Sequence, residues 1–189
     1  EAEQAGLDPY VVMDHHVEHV PMGSRRLLYL PYLMGERTPH LDPDCRGVFF
    51  GLSAIHTQDD MLRAVMEGVG YSLTDCQDIL RDMGIVVQEM MACGGGGRSQ
   101  LWRQMLADMY NCEVKTVSSK EGPALGAAIL AGVGAGLFKS VVTACRDFID
   151  TNTYCQPAPT AHAYYEKGHA LYQKLYRQLA GCYQDLATL

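Results

Sequence analysis

The sequence lacks any apolar run that could cross a membrane. Its longest uninterrupted apolar stretches are far shorter than the roughly 20 residues that a membrane-spanning helix needs. The first ten residues, EAEQAGLDPY, have neither the basic start nor the apolar middle of a secretory signal. We therefore expect a cytoplasmic protein with no membrane partner.

Paired cysteines and basic clusters are also missing. The seven cysteines are scattered singly with no CxxC motif, which is typical of reduced cytosolic thiols rather than of a disulfide framework or a zinc site. Fifteen Lys and Arg residues against 22 Asp and Glu residues give a net charge of −7. Since no basic patch offsets this charge, we expect no nucleic-acid partner.

Glycine, by contrast, is abundant, and four glycines stand together at Gly94–Gly97. A strand is predicted before them, at Ile85–Cys93, and a helix after them, from about Ser99 to Tyr110. Consecutive glycines let the backbone approach a ligand closely, and the helix N-terminus supplies free N–H groups and the positive end of the helix dipole. The pattern predicts phosphate or nucleotide binding. A turn that only reverses the chain is the alternative.

Upstream of this loop, the sequence predicts a helix that Asp8 caps and that has Pro9 in its first turn. It also predicts a long helix capped by Thr57 and ended by Gly84. Gly68 and Gly70 inside the long helix indicate close approach to another element. The predicted elements in this part are a helix at 9–19, strands at 27–33 and 47–52, and a helix at 57–83.

Downstream, a strand at 114–117 is followed by a segment at 118–138 with a surface of small residues, which we expect to pack tightly against a neighbour. A helix at 140–149 and a terminal helix at 161–186 complete the chain. Tyrosines at helical spacing in the terminal helix are expected in the core. Strands alternating with helices predict an α/β domain with a mixed sheet.

Two further segments leave their roles open. His15 and His19 have the i, i+4 spacing of a metal-binding pair, and His16 lies between them, but no carboxylate or cysteine is arranged to complete a site. An exposed polar helix face is therefore favoured. The ordered-loop composition of residues 35–47, GERTPHLDPDCRG, is compatible with a functional loop or with a purely structural one.

Several longer stretches resemble the C-terminal half of carbohydrate kinases of the FGGY family. LLYLPYLMGERTPHLDPDCRGVFFGL and DMLRAVMEGVGYSL match its signature, and CGGGGRSQLWRQMLAD and EGPALGAAILAGVG resemble its nucleotide-binding segments. The sequences GERTPH and VFFGL are most similar to those of the family members that transfer the γ-phosphate of ATP to the 5-hydroxyl of D-xylulose. The signature positions are Gly47, Phe49, Gly51, Leu52, Asp60, Ala64 and Glu67.

The resemblance implies an actin-like ATPase lobe of the ribonuclease-H-like type, with a mixed sheet of about five strands flanked by helices. Residues 1–26 would be an N-terminal helix and linker from a preceding half, and residues 27–189 the nucleotide-binding domain. The expected cofactors are ATP and Mg²⁺. The residues expected around the nucleotide are Gly94, Gly95, Gly96, Gly97, Arg98, Ser99, Leu101, Trp102, Gly122 and Gly126.

The resemblance places the catalytic base in the other half of such a kinase. We therefore name no catalytic residue and no metal ligand here, because acids such as Glu36, Asp42 and Glu67 do not lie in the family's general-base motif. The expected partners are ATP or ADP, a small sugar and the N-terminal lobe of the same kinase. Alone, the chain is expected to bind nucleotide weakly, to turn over nothing, and to self-associate.

Other functions remain open. Gluconate, ribulose, fuculose and glycerol kinases share this lobe, and the residues that select the sugar lie mostly in the other half. A non-enzymatic actin-like lobe that binds a nucleotide or a protein partner is the alternative from a different class.

Overall fold

The computed structural model describes residues 1–117 and 122–189, apart from the side chains of residues 152 and 153. Its elements, in chain order, are α1 (Ala2–Ala5), α2 (Pro9–Glu18), β1 (Leu28–Leu30), β2 (Val48–Phe50), α3 (Gln58–Asp82), β3 (Glu89–Ala92), α4 (Gln100–Tyr110), β4 (Glu113–Val117), α5 (Gly122–Gly134), α6 (Val141–Phe148), β5 (Thr151–Cys155) and α7 (Pro159–Leu186). Short 3₁₀ turns lie at Ser24–Arg26 and Gly96–Arg98. No helix in these ranges is long and apolar enough to cross a membrane.

The strands form two separate sheets. β1 and β2 pair antiparallel, while β4 lies between a parallel β3 and an antiparallel β5. The predicted combination of parallel and antiparallel strands, flanked by helices, is confirmed. The strand at β5 was not predicted, because its sequence, TNTYC, has no apolar alternation and owes its conformation to pairing with β4.

The long helix α3 is the central element, since it contacts β1, α2, α4 and α7. Thr57 and Asp60 form the capping box that starts it. A Cβ atom added to Gly68 would lie 2.1 Å from the Tyr29 carbonyl oxygen, and one added to Gly70 would lie 2.3 Å from Met109 Sδ. The predicted close approach at both glycines is therefore confirmed.

The tyrosines of α7 supply much of the core, as predicted. Tyr165, Tyr172 and Tyr183 are buried, whereas Tyr164 is exposed. The Tyr172 hydroxyl donates a hydrogen bond of 2.7 Å to the Tyr32 hydroxyl, which ties α7 to the chain beyond β1.

A buried network surrounds Glu67. Its carboxylate accepts hydrogen bonds from the Gly23 backbone N–H (2.9 Å), the Ser24 hydroxyl (2.8 Å), Arg63 Nε (3.0 Å) and the Tyr165 hydroxyl (3.3 Å). Arg63 in turn donates to the Tyr165 hydroxyl at 3.1 Å. This signature acid therefore joins the turn before β1, α3 and α7, and its oxygens are occupied by donors from the fold.

The small-residue surface of α5 does not pack as expected. Gly126, Ala127 and Ala128 are exposed. Of the glycines in α5, only Gly132 meets a close neighbour, since an added Cβ there would lie 2.4 Å from the Phe138 ring. Residues 118–121, where this predicted segment begins, lie outside the described residues. The expectation of tight packing is thus wrong for most of the described helix.

Candidate functional site

The four glycines of the loop occupy different conformations and surroundings. Gly94 has φ +76°, in the region that favours glycine. A Cβ atom added to Gly97 would lie 2.6 Å from the Ala92 carbonyl oxygen, so that position has no room for a side chain. Nothing lies within 4 Å of the corresponding point at Gly95. Gly95 thus combines an ordinary right-handed backbone with an open approach.

The loop leads directly into the N-terminus of α4. The Ser99 hydroxyl caps this helix by accepting a 3.0 Å hydrogen bond from the Trp102 N–H. The buried Arg103 guanidinium donates to the carbonyl oxygens of Gly97 (2.6 Å) and Arg98 (3.0 Å). Sequence reasoning missed Arg103, although a cation in the first turn after a glycine run could have indicated a residue that holds the loop in shape.

A cleft of about 630 Å³ opens beside Gly95, between the loop, α2 and α3. Its apolar lining consists of Val11, Met13, Val17, Leu62, Val65, Met66, Val69 and Trp102. The other lining residues, which are more polar, are Asp8, Tyr10, Asp14, Gly95, Gly96, Arg98 and Ser99. An apolar cavity with a few polar groups is the usual form of a small-molecule site.

The cleft brings together half of the predicted site residues, namely Gly95, Gly96, Arg98, Ser99 and Trp102. Gly94 and Gly97 belong to the same loop, and Leu101 lies in the first turn of α4. Gly122 and Gly126 lie on α5, with open space where their Cβ atoms would stand. Among the described residues, these last five do not line the cleft, and contact of any of the ten with nucleotide stays a prediction.

The walls contributed by α2 and α3 were missed. In the sequence, the apolar positions Leu62, Val65, Met66 and Val69 form a stripe at helical spacing along the long helix. A stripe of this kind shows that one face avoids water, but it does not distinguish a face packed on protein from a face that lines a cavity. The wall from α2 was unexpected because α2 was predicted only as a polar helix.

The histidines of α2 have separate surroundings. His15 and His19 are exposed, as expected of a polar face. The His16 ring lies 3.2 Å from Glu1 Oε1 and 3.1 Å from Asp59 Oδ1. Its pKa is raised, first by the hydrogen bond with Glu1 and then by that with Asp59. His16 therefore joins α1 and α2 to the start of α3.

The loop at residues 35–47 is held largely by its own hydrogen bonds. Glu36 and Asp42 pair through their backbones at 2.8 and 2.9 Å, and Glu36 Oε1 accepts from the N–H groups of Arg37 and Thr38. The His40 ring stacks on Tyr176 of α7, with centroids 3.5 Å apart. Burial lowers the pKa of His40. Arg37 is exposed, so its side chain is available to solvent while the loop backbone is fixed.

A magnesium site is not built into the described part of the cleft. Its carboxylates are Asp8 and Asp14, and Asp8 Oδ1 already accepts the 2.9 Å hydrogen bond from the Tyr10 N–H that caps α2. Mg²⁺ prefers six oxygens and is commonly held by nucleotide phosphates with few protein ligands. We therefore assign it no ligand in this chain.

Curated relatives at 37 to 41% identity are sugar kinases. The xylulose kinase of Staphylococcus epidermidis is 41% identical over 89% of this chain and 34% of its own length. The enzyme of the same name from Escherichia coli is 41% identical over 94% of this chain and 37% of its own length. The gluconokinase of Bacillus licheniformis is 37% identical over 99% of this chain and 36% of its own length. The chain thus spans about a third of the length of these relatives.

Solved structures show the same fold. A ligand-bound xylulose kinase from Lactobacillus acidophilus superposes with a TM-score of 0.87 and 31% identity over 96% of this chain and 37% of that one. Gluconate kinase from the same organism superposes with a TM-score of 0.84 and 31% identity over 92% of this chain and 35% of that one. The family model for the C-terminal domain of the FGGY family of carbohydrate kinases matches residues 2–135. The chain therefore belongs to the FGGY family of carbohydrate kinases, within the part that forms the C-terminal domain.

Proposed function

We propose that this chain is the nucleotide-binding lobe of a kinase that transfers the γ-phosphate of ATP to the 5-hydroxyl of D-xylulose. The proposal is carried by one observation, which is that the Gly95 position opens onto an apolar cleft beside the N-terminus of α4. The names of the relatives at 37 to 41% identity support the choice of a sugar kinase, and several of them are xylulose kinases.

Two parts of the cleft lining suit the two ends of ATP. The apolar walls from α2 and α3 and the Trp102 ring provide a surface for a purine base. Gly95, Gly96 and the start of α4 provide backbone donors and a positive helix dipole for phosphate oxygens. Mg²⁺ would arrive with the phosphates and neutralise part of their charge.

Transfer itself would need groups that we do not assign to this chain. In-line phosphoryl transfer depends on fixing both substrates in one geometry. The Glu67 carboxylate is buried and bonded to four donors, so we do not propose it as a base. An N-terminal lobe of the same kinase would supply the base and most sugar contacts, and the lobes would close around both substrates.

Gluconate is the second candidate substrate. Gluconokinases match nearly the whole chain at 37% identity, and a gluconate kinase structure superposes almost as well as that of a xylulose kinase. Comparing phosphorylation of D-xylulose and D-gluconate by a kinase that contains this lobe together with its N-terminal partner would separate them.

The proposed nucleotide site can be tested by isothermal titration of the 189-residue chain with Mg-ATP and Mg-ADP. We expect weak, saturable binding that Gly95→Val abolishes, because the added side chain would enter the cleft without meeting protein atoms. Gly181→Val, on α7 and also with open space, is the matched control and should bind as the parent does. Equal binding by both variants would show that the nucleotide does not bind in this cleft.

A further inference from the structure

A second, polar pocket of about 380 Å³ lies between α3, the end of α4 and α7. It shares no lining residue with the apolar cleft. Asp78, His169 and Gln173 line it, and Asp75 reaches the same point from one turn earlier on α3. The family resemblance and the proposed function leave this cluster without a role.

The donor atoms of the cluster are spaced like ligands of one ion. Asp75 Oδ1 lies 2.8 Å from His169 Nε2 and 2.6 Å from the Gln173 side-chain amide. That amide lies 3.3 Å from Asp78 Oδ2 and 3.4 Å from His169 Nε2. Neighbouring ligands at bond lengths of about 2.1 Å stand about 3 Å apart. Ligand atoms from Asp75, Asp78 and His169 all lie within 4.8 Å of one another.

A second observation also indicates a cation. Asp75 is 5% exposed, and its other oxygen, Oδ2, has no hydrogen-bond partner among the described residues. The facing group is His40 Nε2, 4.0 Å away, which is unpartnered within the same described ranges. Burying a carboxylate with one oxygen unpartnered is unfavourable, and a cation bound beside Oδ1 would offset part of the cost of burying its charge.

Hydrogen bonds within the cluster explain only part of this arrangement. His169 and Gln173 can both donate to Asp75 Oδ1, which leaves Oδ2 unexplained. The nitrogen and oxygen of a glutamine amide are assigned from their surroundings, so rotating the Gln173 amide would turn its carbonyl oxygen to the same point. Arg81 pairs with Asp78 Oδ1 and leaves Oδ2 of that residue towards the cluster.

We propose that Asp75, Asp78 and His169 bind one divalent transition-metal ion, with the Gln173 carbonyl oxygen as an additional ligand. An imidazole with carboxylate and amide oxygens suits ions such as Zn²⁺, Mn²⁺ or Co²⁺. The polar pocket gives the ion a path from solvent. Because Asp75 and Asp78 lie on α3 and the other two ligands on α7, the ion cross-links these helices.

Cobalt provides the test, because its visible absorption reports direct coordination. After dialysis against a chelator, the 189-residue chain is titrated with Co²⁺, and we expect bands that saturate at one equivalent. Asp75→Asn and His169→Gln should each weaken binding by about tenfold or more, because the first removes a carboxylate charge and the second removes the imidazole nitrogen. His162→Gln is the matched control, since His162 lines the same pocket on α7 but contacts the Asp108 carbonyl oxygen.

His15→Gln is a second control, because His15 and His19 could bind Co²⁺ by themselves. Bands that weaken only in Asp75→Asn and His169→Gln would support the site. Absence of bands, or bands that survive both variants or disappear in His15→Gln, would overturn it. If Asp75→Asn fails to fold by circular dichroism, His169→Gln decides the result.

Discussion

Single glycines in the loop have different requirements, although they are identical letters in the sequence. Gly94 needs its positive φ, Gly97 needs the absence of a side chain, and Gly95 needs neither. The sequence predicted the loop and its helix correctly, because a glycine run followed by apolar residues at helical spacing is a local pattern. The sequence could not show which glycine needs a positive φ and which has no room for a side chain, because the neighbours of each glycine depend on backbone packing.

Gly97→Ala should destabilise the chain, whereas Gly95→Ala should not. The added methyl at Gly97 would lie 2.6 Å from the Ala92 carbonyl oxygen, and backbone must move to make room. We expect a loss of about 1–3 kcal/mol in the free energy of unfolding, measured by urea denaturation. Gly95→Ala should leave it unchanged or slightly higher, because alanine restricts the unfolded chain. Equal effects at both positions would contradict the assigned roles.

His16 should titrate above its ordinary pKa of 6.5. Because the folded pKa is raised, the stabilisation from its carboxylate partners is fully present below about pH 6.5 and is lost as the pH rises through the folded pKa. An NMR titration of the histidine ring protons measures the shift. Asp59→Asn should lower the pKa of His16, while Asp82→Asn, at the far end of α3, should leave it unchanged. A pKa insensitive to Asp59→Asn would disprove the contact.

At the scale of elements, the sequence predicted helices better than strands. The starts of α2 and α3 were predicted from Asp8 and Thr57, each of which caps its helix as expected. The start predicted for α4, at about Ser99, is also correct within one residue. The strand predicted at 85–93 shortens to β3, and β5 was missed. Caps act within one turn, whereas a strand exists only with a partner, so its ends depend on residues far away in sequence.

The contact between α3 and β1 should be sensitive to Gly68→Ala. An added methyl would lie 2.1 Å from the Tyr29 backbone oxygen, so the helix and strand must separate. We expect a loss of about 2–4 kcal/mol of unfolding free energy, read from chemical denaturation. Gly70→Ala is the matched control, because its neighbour is the flexible end of Met109. A larger loss at Gly70 than at Gly68 would argue against this packing.

For the whole molecule, the site needs parts that are distant in sequence. The cleft combines α2, α3 and the glycine loop, and β1, β2, α3 and β3 separate α2 from this loop in the sequence. Local patterns predicted the glycine loop that lines the cleft, but not the apolar walls, because nothing local shows which helices become neighbours. The family resemblance supplied the lobe architecture that periodicity alone left open.

The chain should self-associate in solution, because it exposes large apolar side chains. Met34 is 93% exposed and Leu41 is 90% exposed, and exposed apolar surface favours association. Light scattering after size-exclusion chromatography should show a mass that rises with concentration. Met34→Lys with Leu41→Lys should lower it, whereas Leu189→Lys, at the exposed last residue, should not. A monomer at all concentrations would refute the prediction.

The bonds between α7 and the earlier elements also constrain how the chain can fold during synthesis. Tyr165 meets Glu67 across 98 residues, and Tyr172 meets Tyr32 across 140. While the ribosome is still making α7, the Glu67 carboxylate lacks its Tyr165 donor, and the core beside Tyr71 lacks the tyrosines of α7. Contacts of such long range form slowly. The core can therefore be completed only after α7 has left the ribosome. Until then, the apolar surfaces of the nascent lobe stay uncovered unless another protein binds them.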